Sequence, residues 1–238
     1  MNHRMSIIIP ILNEAEHIGK LINELLLHSK AEHVLEIIVV DGGSQDGSQA
    51  IVQQLSLEKS NTQIKLITSE KGRAKQLNNG ASEASGSILY FLHADSSFPP
   101  QNFDALIISE VKKGNLAGCF RMRFDSDHWW LRLVSWLTQF SCRACRGGDQ
   151  SQFITRELFE DIGGYDESYL IYEDNILINA LYARKQYTVI NKTLTTSARL
   201  YHEHGVWNVQ YRFLRIYIKR WFGASADELC SYYKKHLC

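Results

Sequence analysis

Three short apolar runs in the first 95 residues each end in a carboxylate or an amide, and this repetition constrains the fold more than any other feature of the chain. Ile37-Ile38-Val39-Val40 breaks into Asp41-Gly42-Gly43-Ser44-Gln45-Asp46-Gly47; Ser6-Ile7-Ile8-Ile9-Pro10 leads to Ile11-Leu12-Asn13-Glu14; Ser87-Ile88-Leu89-Tyr90-Phe91-Leu92 leads to His93-Ala94-Asp95. Runs this short and this rich in Ile and Val predict strands buried on both faces. In open α/β sheets ligands bind outside the carboxyl ends of the strands. Asp41 alone is equally well explained as turn chemistry. Three convergent strand ends argue for a site.

The intervening segments read as helices. Asn13 is expected to cap a helix with Glu16 as its third residue, a capping box, with Ile18, Leu21, Ile22, Leu25 and Leu26 at helical spacing. A helix starting near Asp46 turns Ile51, Val52 and Leu55 inward; Ile64 to Ile67 is a strand; Lys71-Gly72-Arg73 opens a helix carrying Ala74, Leu77 and Ala81. Pro99-Pro100 marks the next helix start. The order β-α-β-α-β-α-β predicts a parallel, doubly wound sheet with right-handed crossovers.

The second half is less regular. Strands are expected at 117–124, 151–155 and 187–190, and helices at 128–140, 156–162 and from Glu173, the last bearing Ile176, Leu177, Ala180 and Leu181. With neither a low-complexity linker nor an internal repeat, residues 1–238 read as a single domain. Its nucleotide-type half is about 5–100, its acceptor-type half about 101–196, and 197–238 is a helical extension.

Charge narrows the partners. Twenty-six Lys+Arg balance 26 Asp+Glu, so no global field attracts nucleic acid. No stretch reaches the ~18 apolar residues of a membrane span, and no apolar signal region precedes the first strand; the expectation is a cytoplasmic protein. Five cysteines without a disulfide framework fit a reducing compartment, and Cys142-Arg143-Ala144-Cys145, lacking a second ligand pair, is read as free thiols rather than a zinc site.

Local chemistry follows from position. Asp95, at a strand end before a loop, suits a hard divalent cation held by one protein ligand and substrate phosphate oxygens. Such a cation would neutralise a diphosphate leaving group. Arg73, near a helix N-terminus, could reach a phosphate or a neighbouring carboxylate. Glu173-Asp174, at another helix start, could supply the general base for a hydroxyl acceptor, although the helix dipole lowers a carboxylate pKa where a strong base needs a higher one.

In this order, Ile7-Ile8-Ile9-Pro10 with Asn13-Glu14, Val39 to Gly47, Gly72-Arg73-Ala74, His93-Ala94-Asp95, Gly148-Asp149-Gln150 and Glu173-Asp174 resemble family 2 glycosyltransferases, over about residues 5–196. The subgroup most similar is a small bacterial one with a histidine in the metal motif and a Thr195-Thr196-Ser197-Ala198-Arg199 segment. The resemblance implies the GT-A fold, a Rossmann-like nucleotide-diphospho-sugar transferase fold with a mostly parallel central sheet flanked by helices. It also implies a hexosyltransferase-type enzyme that inverts configuration. By the same resemblance Pro10, Asn13 and Glu14 line the nucleotide pocket, Asp41 accepts from the base ring N–H, and Ser44 and Asp46 shape that loop. Arg73 contacts the diphosphate side, Asp95 binds Mg²⁺ or Mn²⁺, Asp149, Gln150 and Glu173 lie on the acceptor side, and Asp174 is the base. His93 departs from the Asp usual at the start of the family's metal motif and is assigned to the donor pocket; a neutral imidazole there can contact phosphate or ribose. His202-Glu203-His204 offers later candidate ligands.

The implied reaction moves a sugar from a nucleotide-diphosphate donor, expected to be UDP-linked, to a hydroxyl acceptor, lipidic or a glycan. The stretches His128 to Leu137 and Tyr211 to Phe222 mix bulky apolar groups with Arg and Lys, as do helices lying in a membrane interface; core packing or dimerisation explains them as well. One rival reading is a catalytically inactive sugar-nucleotide binding protein. Another, a dinucleotide oxidoreductase, lacks the G-x-G-x-x-G turn after the first strand.

Overall fold

The computed structural model describes residues 3–58, 60–97, 100–148 and 150–237. The first half runs β1 (Met5–Ile11), α1 (Ala15–His28), β2 (Val34–Asp41), α2 (Ser48–Leu57), β3 (Gln63–Thr68), α3 (Arg73–Glu83), β4 (Ile88–Phe91) and β5 (Ser96–Ser97). The second half runs α4 (Phe103–Lys112), β6 (Ala117–Phe124), α5 (Trp129–Leu137), β7 (Gln152–Thr155), α6 (Arg156–Ile162), α7 (Glu173–Ala183), β8 (Thr188–Thr196), α8 (Arg199–His204), α9 (Val206–Trp221) and α10 (Ala226–Leu237).

One sheet of order β3-β2-β1-β4-β7-β6-β8-β5 carries the molecule. β3, β2, β1 and β4 are mutually parallel, as their apolar runs predict. Beyond them β7 is antiparallel to both β4 and β6, β8 is parallel to β6, and β5 is antiparallel to β8. The parallel winding read from the first half therefore does not extend across the sheet. α6 begins at Arg156, directly after β7 ends at Thr155.

Alternation of side chains sorts the core into two layers. Ile7, Ile9, Ile37 and Val39 pack with α1, α2 and α4, whereas Ile8, Ile38 and Val40 pack with α3, α6 and α7. α3 lies so close to the sheet that a Cβ on Gly80 would stand 2.4 Å from Ile8 Cγ2. A third cluster joins the end of β6 (Met122, Phe124) to α5, α8, α9 and α10 through Leu131, Tyr201, Val209 and Leu237.

Helix boundaries expose one misreading. Asn13 does not cap α1: it sits in the left-handed region at φ 58°, and no side-chain cap bond forms at Glu14, the residue before the helix. The N–H groups of Glu14 and Ala15 are satisfied from outside the segment, by Ser48 and Asp46. In α7 Leu177, Ile178 and Leu181 are buried, while Ile176 and Ala180 lie at its margin. α4 begins at Phe103 after Asn102, later than the proline pair; Pro99 lies outside the described residues.

Candidate active site

The carboxyl ends of β1 and β2 are fastened to each other by their loops. Ser44 Oγ accepts from Asn13 N–H (2.9 Å), Ser48 Oγ from Glu14 N–H (2.9 Å), and Asp46 Oδ2 from Ala15 N–H (2.8 Å); Asn13 Oδ1 in return accepts from Gln45 N–H (2.9 Å). Two of these acceptors serve the orphan donors that open α1. Behind this clamp Asp41 is fully buried, accepting from the N–H groups of Gly43 (3.0 Å) and Ser44 (3.1 Å) and from Gln49 Nε2 (2.6 Å). Burial pushes its pKa up, and the hydrogen bonds from Ser44, Gln49 and Gly43 together outweigh it, holding the carboxyl below its ordinary value. Gln76 of α3 ties the two strands from below, donating to Ile11 O (2.9 Å) and Val40 O (2.8 Å).

These ends frame a cavity of about 620 Å³, bordered by Pro10 of β1 and Glu14 just after it, by Lys71 and Gly72 with Arg73 and Gln76 of α3, and by His93 to Asp95 in the segment after β4. Proline is tolerated inside a central strand because β1–β4 pairing stops at Ile8, where β4 leaves the sheet. Glu14 is paired with Arg199 Nη2 at 3.1 Å, and Arg199 also feels Asp95 and Glu203. Burial, followed by the Arg73 charge, pushes the His93 pKa down to about 3, against hydrogen bonds to the backbone of Gly148 and Gln150 that favour protonation. The imidazole facing the cavity is therefore neutral.

A second cavity of about 370 Å³ adjoins the first; Arg73, Ile171 and Tyr233 border both. Arg73 Nε donates to Glu173 Oε1 and its Nη2 to Asp174 Oδ2, so one guanidinium holds both carboxylates that open α7. Asp174 faces the second cavity; Glu173 is fully buried behind it. Gly148 lies against this pair so closely that a Cβ there would meet Asp174 Oδ2 at 2.8 Å and Arg73 Nη2 at 3.0 Å.

Gln150 also borders the second cavity, but its amide is engaged internally: Oε1 accepts from Arg146 Nη1 (3.0 Å) and Nε2 donates to Cys145 O (3.2 Å). Arg146 is buried, donating to Cys119 Sγ (3.0 Å) and to the carbonyls of Thr138 (2.5 Å) and Phe140 (2.7 Å). Asp149 lies outside the described residues. Cys142 and Cys145 are free thiols with Sγ atoms 2.9 Å apart. His202 and His204, on α8, border neither cavity.

Among the described residues no group of three His, Cys, Asp or Glu side chains could hold a metal by itself. Asp95 in the first cavity fits a different donor set, one carboxylate completed by the ligand's own phosphate oxygens, which is how Mg²⁺-type ions are commonly bound.

The family model for glycosyl transferase family 2 matches residues 6–179. The chain belongs to this family. It is 39% identical over 93 residues to a glycosyltransferase of Haloferax volcanii, AglE, covering 39% of this chain and 31% of that protein. It is 24% identical over 199 residues to an undecaprenyl-phosphate 4-deoxy-4-formamido-L-arabinose transferase of Proteus mirabilis, covering 83% and 57%. The chain thus spans between about a third and three fifths of these relatives. Among solved structures, the Pyrobaculum calidifontis mannosyltransferase PcManGT, in complex with GDP-Man and Mn²⁺, matches with TM-score 0.71 at 20% identity over 100% of this chain and 68% of that one. Staphylococcus aureus TarS 1–349 in complex with UDP matches with TM-score 0.68 at 16% identity over 82% and 60%. The fold of this family 2 chain is GT-A.

Sequence reasoning missed Gln76, Arg146 and Tyr233, and named Arg199 only as the end of the Thr195–Arg199 segment, without its pairing to Glu14. Gln76, on the buried face of α3, carried the one available signal: an amide among apolar positions must find buried partners. Arg146 and Tyr233 border the cavities from segments to which no role was assigned.

Proposed function

We propose that this protein is an inverting glycosyltransferase that takes a sugar from a nucleotide-diphosphate donor in the first cavity and delivers it to an acceptor oxygen in the second. The single observation carrying this reading is the adjacency of the two cavities at Arg73, with Asp95 bordering one and Asp174 the other. Pro10, Asn13, Glu14, Asp41, Ser44 and Asp46 would form or support the nucleotide end, and His93 and Arg73 the diphosphate end. Asp149, Gln150 and Glu173 would belong to the acceptor side. A divalent cation, Mg²⁺ or Mn²⁺, would be held by Asp95 and would supply charge neutralisation at the departing diphosphate. The mannosyltransferase neighbour holds Mn²⁺ with its GDP-Man, which supports that reading.

In the second cavity Asp174 is the candidate base. It would take the proton of an acceptor hydroxyl as that oxygen attacks the anomeric carbon from the face opposite the diphosphate, inverting its configuration. The Arg73 guanidinium that holds Asp174 also borders the second cavity, where it can meet an anionic acceptor. That placement favours a second reading, in which the acceptor is a phosphate monoester whose oxygen is already anionic and needs no base. The Proteus relative is named for undecaprenyl-phosphate, and a Saccharomyces cerevisiae relative, 32% identical over 111 residues, is a dolichol-phosphate mannosyltransferase.

A cytoplasmic protein resting on the inner face of the membrane is consistent with the helical surface. Among the described residues no helix is long and apolar enough to cross a membrane. α9 exposes Leu214, Ile218 and Trp221, continuing into Phe222, and carries Arg212, Arg215, Lys219 and Arg220 with no acidic residue. Flotation with anionic liposomes at low salt should carry the protein upward; recovery in the soluble fraction alone sinks the membrane reading.

The donor is tested by calorimetric titration of UDP with and without Mn²⁺, repeated with Asp95→Ala. Mn²⁺-dependent binding lost in the variant is the expected result. GDP and dTDP follow if UDP does not bind, and failure of all three removes the transferase reading.

A further inference from the structure

The stretch matching the family model ends at residue 179, yet the first cavity has a wall made by the last helix of the chain. Cys230, Tyr233 and Lys234 of α10 border it together with Pro10, Arg73 and Asp95. The docking of α10 explains how they come there. Leu229 and Leu237 are buried and Tyr233 is partly buried, so positions i, i+4 and i+8 form the anchored row, and Leu237 and Tyr233 join the cluster around Met122 and Phe124. Residues 230 and 234 form the neighbouring row, about 100° further around the helix. With the first row fixed against β6 and α9, the second faces the cavity.

The charges bordering that cavity are unevenly committed. Arg73 is held by Glu173 and Asp174, and Glu14 is held by Arg199. Lys234 has no ion pair or hydrogen bond with another described residue, although Asp227 and Glu228 lie on its own helix. Its ammonium is a flexible point charge bordering the same cavity as the carboxylate that would hold the cation, suited to an anionic ligand that brings more negative charge than one divalent ion offsets. Tyr233, bordering both cavities, stands where the two meet.

We infer that α10 is a built part of the donor site, in which Lys234 neutralises the donor's diphosphate and Tyr233 forms the partition between donor and acceptor. This rests on the donor reading of the first cavity. Lys234 is therefore a binding residue whose effect scales with phosphate charge, and Tyr233 a positioning residue.

The test compares the nucleoside diphosphate that the wild type binds, chosen among UDP, GDP and dTDP, with its monophosphate, by calorimetry in Mn²⁺ buffer. Lys234→Ala should weaken diphosphate binding about 5- to 20-fold and monophosphate binding at most about twofold, with a shallower salt dependence. Lys234→Arg should restore most of the loss, and Lys235→Ala, one position along the helix and bordering neither cavity, should be neutral. Tyr233→Ala should raise hydrolysis of the donor relative to transfer, with diphosphate affinity changed less than threefold. Equal loss for both nucleotides, or no loss, in Lys234→Ala overturns the role of Lys234; an unchanged hydrolysis-to-transfer ratio overturns that of Tyr233. A wild type that binds none of the nucleotides overturns the donor reading itself and this inference with it.

Discussion

The two cavities are built on opposite plans. The first stands on strand ends whose polar groups are satisfied by one another: Asp41 by its own loop, Ser44, Asp46 and Ser48 by the start of α1, Gln76 by two strand carbonyls. The second is walled by helices and loops from the less regular half, and its central feature is a charged triplet, Arg73 with Glu173 and Asp174. A network that closes on itself gives a fixed floor. A charged group at a cavity edge can exchange partners with a ligand.

The largest expected effect separates the two regions outright. Asp174→Asn should leave donor binding intact and reduce transfer to a hydroxyl acceptor by about 10²–10⁴-fold, the range for a lost general base. Near-normal turnover would remove Asp174 from that role and leave the phosphate-acceptor reading standing. Gly148→Ala probes the same side by steric means alone. Its Cβ would press on Asp174 Oδ2 and Arg73 Nη2, and a displacement of about 1 Å there is worth up to about 100-fold in kcat. An unaltered rate would mean that the pair can shift without consequence.

Smaller effects sharpen the description of the floor. Gly80→Ala drives a methyl into Ile8 and Val40 and should cost about 1–3 kcal/mol of stability by overpacking, read from a denaturant midpoint, with acceptor affinity unchanged in the folded protein. The smallest is a pH effect. The Asp41 carboxyl lies below its ordinary value in the folded chain, so its contribution is present at neutral pH and disappears as pH falls through the folded value. Asp41→Asn should lower stability by about 1 kcal/mol at pH 7, and the gap to wild type should narrow as the pH falls below the ordinary aspartate value. A gap that stayed constant would show that charge is not what Asp41 contributes.

Legibility in the sequence followed the same division. β1, β2, α3 and β6 declare themselves because burial on two faces, or a helical stripe, imposes a local pattern. Pro10, Glu14, Arg73, His93 and Asp95 could be gathered to one cavity, and Asp174 to the next, from position relative to those elements. The capping of α1 misled because its acceptors come from residues 46 and 48, more than 30 positions away. The reversal at β7 was hidden because a four-residue strand looks alike in either direction. Arg146 gave no signal because its partners are backbone carbonyls, an amide and a thiol rather than a carboxylate. Arg199 and Tyr233 depend on how α8 and α10 return to the sheet, which spacing does not encode.

Arg73 belongs to both cavities, and thermodynamic linkage follows from that membership. A ligand on either side that draws on its guanidinium takes it from Glu173 and Asp174, so the free energy of occupying one cavity depends on the state of the other. Whatever factor a donor imposes on acceptor affinity, the acceptor must impose on the donor. One shared side chain is enough to make the two binding isotherms a single measurement.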